Sequence, residues 1–164
     1  MVKSNHSSKA KRQALEIAKR EDVKFIRAQF TDINGILKST AVPIERFEDA
    51  LEGGIGFDGS SIEGYTPIYE SDMILAPDPS TFAVLPWRPA PKSVARVICD
   101  VYFPNGKRFD GDPRYVAQRG LEMAREMGYV YNCGPELEFF LFQKEQDPRG
   151  RPLPIDHGGY FDFH

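Results

Sequence analysis

A segment of alternating polarity, followed by an Asn-Gly turn, most constrains what this chain can fold into. From Val23 to Thr31 every second residue after Ile26 is apolar, which is the pattern of a strand with one buried face. Asn34-Gly35 tolerates the positive φ angles that a tight hairpin requires, and residues 36–42 would return as the second strand. The sequence therefore predicts a β-hairpin near the start of the chain.

Helical and strand patterns follow one another through the rest of the chain. Apolar stripes and helix-end signals predict helices at residues 8–20, 43–53 and 113–128, the last with Asp112 as its N-cap. Its stripe would consist of Val116, Gly120, Met123 and Met127. Strands are predicted at residues 72–76, 81–87, 93–102, 129–132 and 136–142. Loops are predicted at residues 53–67 and 144–157, which show neither period. This order favours an α+β protein with a small sheet packed on a helix.

Composition excludes several classes of protein. With 164 residues, 41% of them hydrophobic, the chain can bury one modest core or two small units. A net charge of -3 and only a short basic cluster around Lys9 argue against nucleic acid as a partner. Cys99 and Cys133 are far apart and are predicted to be reduced core residues. No apolar stretch has membrane-spanning length and no signal peptide is present, so no membrane partner and a cytoplasmic location are predicted.

Two carboxylates lie within the apolar run Gly134–Phe142. In a strand, Glu136 and Glu138 would leave the same face, roughly 7 Å apart from the rise per residue. Carboxylates are uncommon in strands and seldom buried without a partner, so a divalent cation would explain the pair. An edge strand whose glutamates face water explains these residues equally well.

The glycine-rich stretch Phe57–Ile62 holds an acid and two hydroxyls between apolar anchors. Loops of this length and composition are often functional, and this one could present the Asp58 carboxylate and the Ser61 hydroxyl to a polar ligand. Local chemistry by itself favours the alternative, a turn in which Asp58 and the serines bond their own backbone.

Taken in order along the chain, these motifs resemble glutamine synthetase of the bacterial and archaeal type I class. The resemblance begins near Val23, continues to the end of the chain, and rests on the whole series of motifs. The series consists of Arg27–Asp32, Asn34-Gly35, Phe57–Tyr65, Glu70–Met73, Ala95–Tyr102, Gly111–Arg114, Gly134–Phe142 and Gly158–Asp162.

The resemblance implies an N-terminal β-grasp domain followed by the beginning of the catalytic α/β domain of that family. Residues 1–20 would form an N-terminal helix and tail, residues 21–106 the β-grasp domain, and residues 112–164 the start of the catalytic domain. Members of the family continue for several hundred residues, which hold further metal ligands and phosphate-binding arginines. We therefore expect this chain to be a truncated, N-terminal portion that is inactive alone.

The resemblance also implies roles for the residues of the glycine-rich loop. Asp58 and Ser61 match a loop that a neighbouring subunit inserts into the active site. There Asp58 would hold ammonium and take a proton from it, and Ser61 would help to shape the site. Asp72 matches an acid that supports this region, with a turn acid as the alternative. Tyr65 matches an aromatic position that could stack on a bound nucleotide, with core packing as the alternative.

The implied activity is the ATP-dependent joining of glutamate and ammonia into glutamine through a γ-glutamyl phosphate. Glu136 and Glu138 would each serve one of two Mg²⁺ or Mn²⁺ sites, since divalent metals neutralise the charge in both steps. Glutamate, ammonia and ATP would be the ligands. The complete protein would be a homo-oligomer, a double-ring dodecamer with active sites between subunits.

Two other functions stay open at this point. A ligase of the same fold could attach γ-glutamyl groups to polyamines or other amines instead of ammonia. The chain could also be a short, non-catalytic β-grasp module that binds a partner protein, although such a module has no need for Glu136 and Glu138.

Overall fold

The structure is a computed structural model that describes residues 7–88 and 90–162. Residues 1–6 of the predicted N-terminal tail and residues 163–164 lie outside the described residues. The helices are α1 (Ser8–Arg20), α2 (Phe47–Gly53) and α3 (Pro113–Glu126). The strands are β1 (Val23–Thr31), β2 (Leu37–Pro43), β3 (Ile55–Asp58), β4 (Asp72–Val84), β5 (Ser93–Tyr102), β6 (Phe142–Gln146) and β7 (Pro152–Pro154). Short 3₁₀ helices lie at Ile44–Arg46, Gly59–Ser61 and Ile68–Glu70.

The chain forms two compact units that divide between Val130 and Tyr131. The predicted boundary between residues 106 and 112 separates two domains of the resembled family rather than two compact units, and it stays a prediction. Within the described ranges, no helix is long and apolar enough to cross a membrane.

A five-stranded sheet with the order β2-β1-β5-β4-β3 is the centre of the first unit. β1 and β5 are parallel, and the other neighbours are antiparallel. The predicted hairpin is confirmed, because Thr31 pairs with Leu37 across it. Gly35 has a φ of +80°, which a residue with a side chain rarely adopts.

Helices α1 and α2 pack against this sheet and close its hydrophobic core. The predicted α1 is confirmed and buries Ala14 and Ala18. The alternating residues that the strand patterns predicted line the sheet side of this core, and α2 adds its own apolar side. The buried apolar residues on β1, β5 and α2 are Val23, Ile26, Ala28, Phe30, Ala95, Val97, Cys99, Val101, Phe47, Ala50 and Leu51. The α+β class is thus confirmed.

Two predictions for the first unit are corrected. Residues 72–76 and 81–87 are not separate strands, because β4 runs without a break from Asp72 to Val84. Its pairing with β5 shifts between Asp78 and Ala83, and such an irregularity accommodates prolines within a strand. The predicted loop at residues 53–67 contains β3, which is short and gains its stability from pairing with β4.

Helix α3 is confirmed, but its apolar stripe is not buried. Asp112 caps the helix, since its carboxylate accepts the N–H of Arg114 at 3.0 Å. Val116, Met123 and Met127 are 54%, 61% and 70% exposed. Polar contacts at the N-terminal end of α3, described below, take the place of the predicted apolar packing.

The predicted strands at residues 129–132 and 136–142 are not observed. No regular secondary structure is present from residue 129 to residue 141. A strand is stable only beside a partner, and none of the described strands pairs with this stretch. Cys133 is exposed, so its prediction as a core residue is wrong, because the strand that would have buried it does not form.

A two-stranded sheet of β6 and β7 lies where a polar loop was predicted. The turn between these strands is closed by Asp147, whose carboxylate accepts the N–H groups of Arg149 and Arg151 at 2.8 and 2.9 Å. The loop was predicted because the segment is polar and contains prolines. The hairpin accommodates these residues because its strands are short and largely exposed.

Candidate functional site

The structure brings three of the predicted site residues together at one end of the β3–β4 hairpin. Asp58 is the last residue of β3, and its Cα pairs with that of Asp72, the first residue of β4. Ser61 ends the 3₁₀ helix that follows Asp58. All three residues are exposed, so a ligand can reach them. Their catalytic roles stay predictions.

The Asp58 carboxylate is held by the two serines beside it. Oδ1 accepts the N–H and the hydroxyl of Ser60 at 2.9 and 2.6 Å, and Oδ2 accepts the hydroxyl of Ser61 at 2.9 Å. These hydrogen bonds, first that of the Ser60 hydroxyl and then that of Ser61, lower the pKa of Asp58 below its ordinary value. The local turn that the sequence offered as an alternative is present, and it keeps Asp58 ionised and exposed.

Ser60 is a site residue that the sequence analysis left without a role. Its signal was available, because a serine two residues after an aspartate commonly closes a turn on that carboxylate. The rigid placement of Asp58 depends on Ser60 at least as much as on Ser61.

Asp58 and Asp72 form a pair of like charges on directly opposite positions of two antiparallel strands. Side chains at such positions start about 5 Å apart at Cβ. Two exposed carboxylates in this arrangement could contact one small cation.

The backbone that follows Asp58 is packed tightly against β4. Gly59 donates its N–H to the carbonyl of Ser71 at 2.7 Å. A Cβ at Gly59 would overlap the side chain of Met73 and the hydroxyl of Thr66. The position thus accepts only glycine without rearrangement, which fixes the backbone next to Asp58.

Tyr65 lies inside the aromatic part of the core. Its ring centroid is 4.9 Å from that of Phe109, 5.9 Å from that of Phe30 and 6.3 Å from that of Phe57. Its hydroxyl donates to the carbonyl of Thr31 at 2.7 Å, and burial raises the pKa of this phenol above its ordinary value. The geometry supports the packing alternative, and the nucleotide contact stays a prediction.

Glu136 and Glu138 lie in the irregular part of the second unit, and both are exposed. Since no strand forms there, the shared face on which their metal role rested is not observed. The described residues contain no group of three or more acids, histidines or cysteines that could hold a metal ion. Two carboxylates leave most of six coordination positions open, so the described residues do not by themselves fit Mg²⁺ or Mn²⁺.

A cluster of three acids and two arginines, here named the acid–arginine cluster, was not predicted. Arg114 contacts Asp78 at 2.7 Å and Asp100 at 2.8 Å, and Arg108 contacts Asp100 at 3.2 Å and Asp112 at 3.5 Å. The three acids are at most 7% exposed. The acids inside the apolar patterns of β4 and β5 could have indicated this cluster, because a buried acid needs a partner. The cluster fastens the start of α3 to the sheet.

Comparison with solved structures finds two chains with a similar fold. A structure titled "GmaS/ADP complex-Conformation 1" is 29% identical with a TM-score of 0.62, over 70% of this chain and 26% of that chain. The cryo-electron microscopy structure of Plasmodium falciparum glutamine synthetase has a TM-score of 0.65 at 24% identity, over 77% of this chain and 24% of that chain. The second likeness concerns the fold alone.

Curated relatives share much more of the sequence. Glutamine synthetase of Methanosarcina mazei is 57% identical over 93% of this chain and 34% of its own length. The enzymes of Thermotoga maritima and Thermus thermophilus are 53% and 51% identical, over 90% and 93% of this chain. The chain thus spans about a third of the length of these relatives.

Two family descriptions match consecutive parts of the chain. "Glutamine synthetase, beta-Grasp domain" matches residues 22–104, and "Glutamine synthetase, catalytic domain" matches residues 110–162. The predicted β-grasp fold followed by the start of a catalytic domain is confirmed. The chain belongs to the glutamine synthetase family.

Proposed function

We propose that a protein of the relatives' full length that contains this chain, hereafter the full-length protein, is a glutamate–ammonia ligase. It forms glutamine from glutamate and ammonia with ATP, through a γ-glutamyl phosphate. Relatives named glutamine synthetase, 51–57% identical over at least 90% of the chain, support this activity. The observation that carries it is the exposed, ionised Asp58 carboxylate paired with Asp72.

The two carboxylates suit the ammonia step of this reaction. Ammonium is not a nucleophile until it loses a proton, and a negatively charged site both attracts it and takes that proton. Asp58, whose pKa is lowered, is a good counter-ion for ammonium but a weak base. One proton of ammonium passes to Asp58, and the ammonia so formed attacks the acyl carbon to make the N–C bond. The second proton leaves with inorganic phosphate as the C–O bond to phosphate breaks and the amide is completed.

ATP and a divalent metal, Mg²⁺ or Mn²⁺, belong to the same proposal. ATP would phosphorylate the γ-carboxylate of glutamate, which is otherwise a poor electrophile. Glu136 and Glu138 remain candidates for two of the metal ligands, and the other ligands would have to come from outside the described residues. For Tyr65, the nucleotide contact would require the ring to leave its aromatic neighbours, so we assign it a structural role in this proposal.

We further propose that the full-length protein is a cytoplasmic homo-oligomer, a double-ring dodecamer with active sites between subunits. The exposure of Asp58 and Ser61 at one end of a hairpin supports this arrangement, because a neighbouring subunit could reach them. Size measurement by light scattering on the full-length protein would test it, and a monomeric active enzyme would contradict it.

The proposed activity is tested with Asp58→Asn in the full-length protein, which removes the charge and keeps the shape of the side chain. ATP-dependent glutamine formation from ammonium should fall about 10²- to 10⁴-fold, the usual range for loss of a general base. Asp49→Asn is the matched control, since Asp49 is an exposed acid on α2 that forms an exposed ion pair with Arg46. A near-normal rate for Asp58→Asn would overturn the proposal.

The two alternatives are separated by related measurements. Turnover with ammonium and with putrescine, compared in the full-length protein, tests the amine ligase, and a strong preference for putrescine would replace ammonia in the proposal. The non-catalytic module is tested by mixing this chain with the full-length protein and measuring whether the two co-elute. Failure to co-elute would count against the module.

A further inference from the structure

We propose that the β1–β2 turn holds the Asp58 loop (residues 58–65) in place, with Asn34 and Tyr65 as positioning residues. The inference rests on the proposed function, since the position of Asp58 matters only if that carboxylate handles ammonium. It assigns a part in the reaction to a turn that is distant in sequence from every residue discussed as catalytic.

The first link is between two exposed side chains. The Asn34 amide Nδ2 donates to Glu63 Oε2 at 3.0 Å, across 29 positions of sequence. Next to it, Gly64 has a φ of +76°, and a Cβ there would overlap the side chain of Ile33. The turn and the loop are therefore in direct van der Waals contact as well as hydrogen-bonded.

The second link is buried. The Tyr65 hydroxyl donates to the carbonyl of Thr31 at 2.7 Å, at the point where β1 ends and the turn begins. Tyr65 is the last residue of the loop, so this bond fixes one end of the loop. The other end is fixed at Gly59, which donates to the carbonyl of Ser71.

The turn itself is a rigid support. Asp32 is 1% exposed, and its Oδ1 accepts the N–H groups of Asn34 and Ile36, each at 2.9 Å. Its Oδ2 lies 3.2 Å from the ammonium of Lys38. These contacts hold the Asn34 backbone in one position, so the amide that reaches Glu63 is anchored at its base.

Beyond the packing of Gly59 against β4, the Asp58 loop has little support of its own. Its only regular element is a three-residue 3₁₀ helix, and single turns of this kind open easily at a protein surface. Opening would separate Asp58 from the two serines that hold it. A misplacement of about 1 Å in a reacting group can reduce a rate substantially, so contacts that limit this opening contribute to catalysis.

The test compares Asn34→Ala and Glu63→Ala with Glu63→Gln in the 164-residue chain. The two alanine variants lose the link, whereas glutamine keeps an acceptor oxygen and removes only the charge. We expect amide hydrogen exchange in residues 59–65 to become about fivefold faster in both alanine variants, the effect of one net hydrogen bond. Glu63→Gln should stay near the wild-type rate.

The titration of Asp58, followed by NMR, distinguishes positioning from a general loss of stability. In both alanine variants its pKa should rise towards the ordinary value, because the serine hydrogen bonds are broken more often. Unchanged exchange and an unchanged Asp58 titration in both variants would overturn the proposal. An unchanged titration with faster exchange throughout the chain would also overturn it, since it would indicate a structural role only.

Tyr65→Phe gives an independent test of the buried link. It keeps the aromatic packing and removes the donor to Thr31, and Tyr129→Phe, at an exposed position, is the matched control. Faster exchange in the loop for Tyr65→Phe alone would support the proposal, and equal behaviour of the two variants would contradict the role of Tyr65. These measurements use no substrate, so they can contradict the positioning roles without contradicting the proposed function. The proposed function is contradicted separately, by a near-normal rate of the Asp58→Asn enzyme.

Discussion

The two compact units of this chain differ in how far their apolar side chains are buried. In the first unit Ile26, Leu75 and Val101 are completely buried between the sheet and its helices. In the second unit Leu137 and Phe140 are 81% and 82% exposed. The comparison shows that an apolar run becomes a strand only where other segments supply backbone hydrogen bonds and a surface to pack on.

The difference does not come from hydrophobicity. The run from residue 137 to residue 142 is as apolar as any strand of the first unit. The first unit surrounds each central strand with two neighbours, whereas the second unit offers one short hairpin. Exposed apolar stretches of this kind are contact surfaces or aggregation liabilities.

The largest effect should come from removing one buried leucine. Leu75→Ala, in the centre of β4, should lower the free energy of unfolding of the first unit by about 2–5 kcal/mol. Leu137→Ala is the matched control and should change it by less than about 0.5 kcal/mol, as at most surface positions. Chemical denaturation followed by circular dichroism measures both, and equal effects would mean that the two leucines are equally buried.

A somewhat smaller effect is expected from the acid–arginine cluster. Arg114→Met removes the contacts of this guanidinium with Asp78 and Asp100 and should lower the free energy of unfolding by about 2 kcal/mol. The value is below that for a fully buried pair because Arg114 retains some exposure. Arg125→Met, on the same helix, breaks an exposed pair with Glu122 and should leave the unfolding midpoint close to that of the wild type, since exposed ion pairs stabilise a protein little. If the two variants unfold at the same denaturant concentration, the cluster does not fasten α3.

A third prediction concerns the pH dependence of the first unit. Burial alone would raise the pKa of Asp32, but the N–H groups of Ile36 and Asn34 and the ammonium of Lys38 outweigh it, so the pKa is lowered. The charged form is thus favoured by folding, and its stabilisation is present above the unfolded-state pKa of about 3.9. It is lost as the pH falls through the lower folded-state value.

Asp32→Asn tests this sign, because it keeps an acceptor oxygen for the turn and removes the charge. The wild-type chain should be more stable than the variant at pH 7, and the difference should shrink below about pH 4. Denaturation midpoints measured from pH 7 to pH 2.5 decide it. A difference that grows towards low pH would contradict the lowered pKa of Asp32.

The smallest effect on stability is expected in the second unit. Changing Phe139 and Phe140 together to serine removes two side chains that are 73% and 82% exposed. The unfolding of the first unit should be unchanged, while self-association, measured by light scattering, should decrease. A clear loss of stability would show that these rings are packed in solution.

Much of the first unit could be predicted from the sequence, as the β1–β2 hairpin shows. Alternation from Ile26 onwards, and a turn that needs a positive φ at Gly35, depend on residues within a few positions of one another. The capping of α3 by Asp112 is equally local. By contrast, β3 was missed, because a strand of four residues has too few positions for a period and depends on its pairing with β4.

In the candidate site, too, the features that depend on local sequence could be predicted and those that depend on distant partners could not. The sequence by itself determined the family of the chain and offered the serine-rich turn at Asp58, because these rest on residue types in local order. Only the tertiary structure decided that Asp72 faces Asp58, that Tyr65 is buried beside Thr31, and that Glu136 and Glu138 do not share a strand face. Pairing, burial and packing depend on partners distant in sequence, and no local pattern specifies which partner a residue will meet.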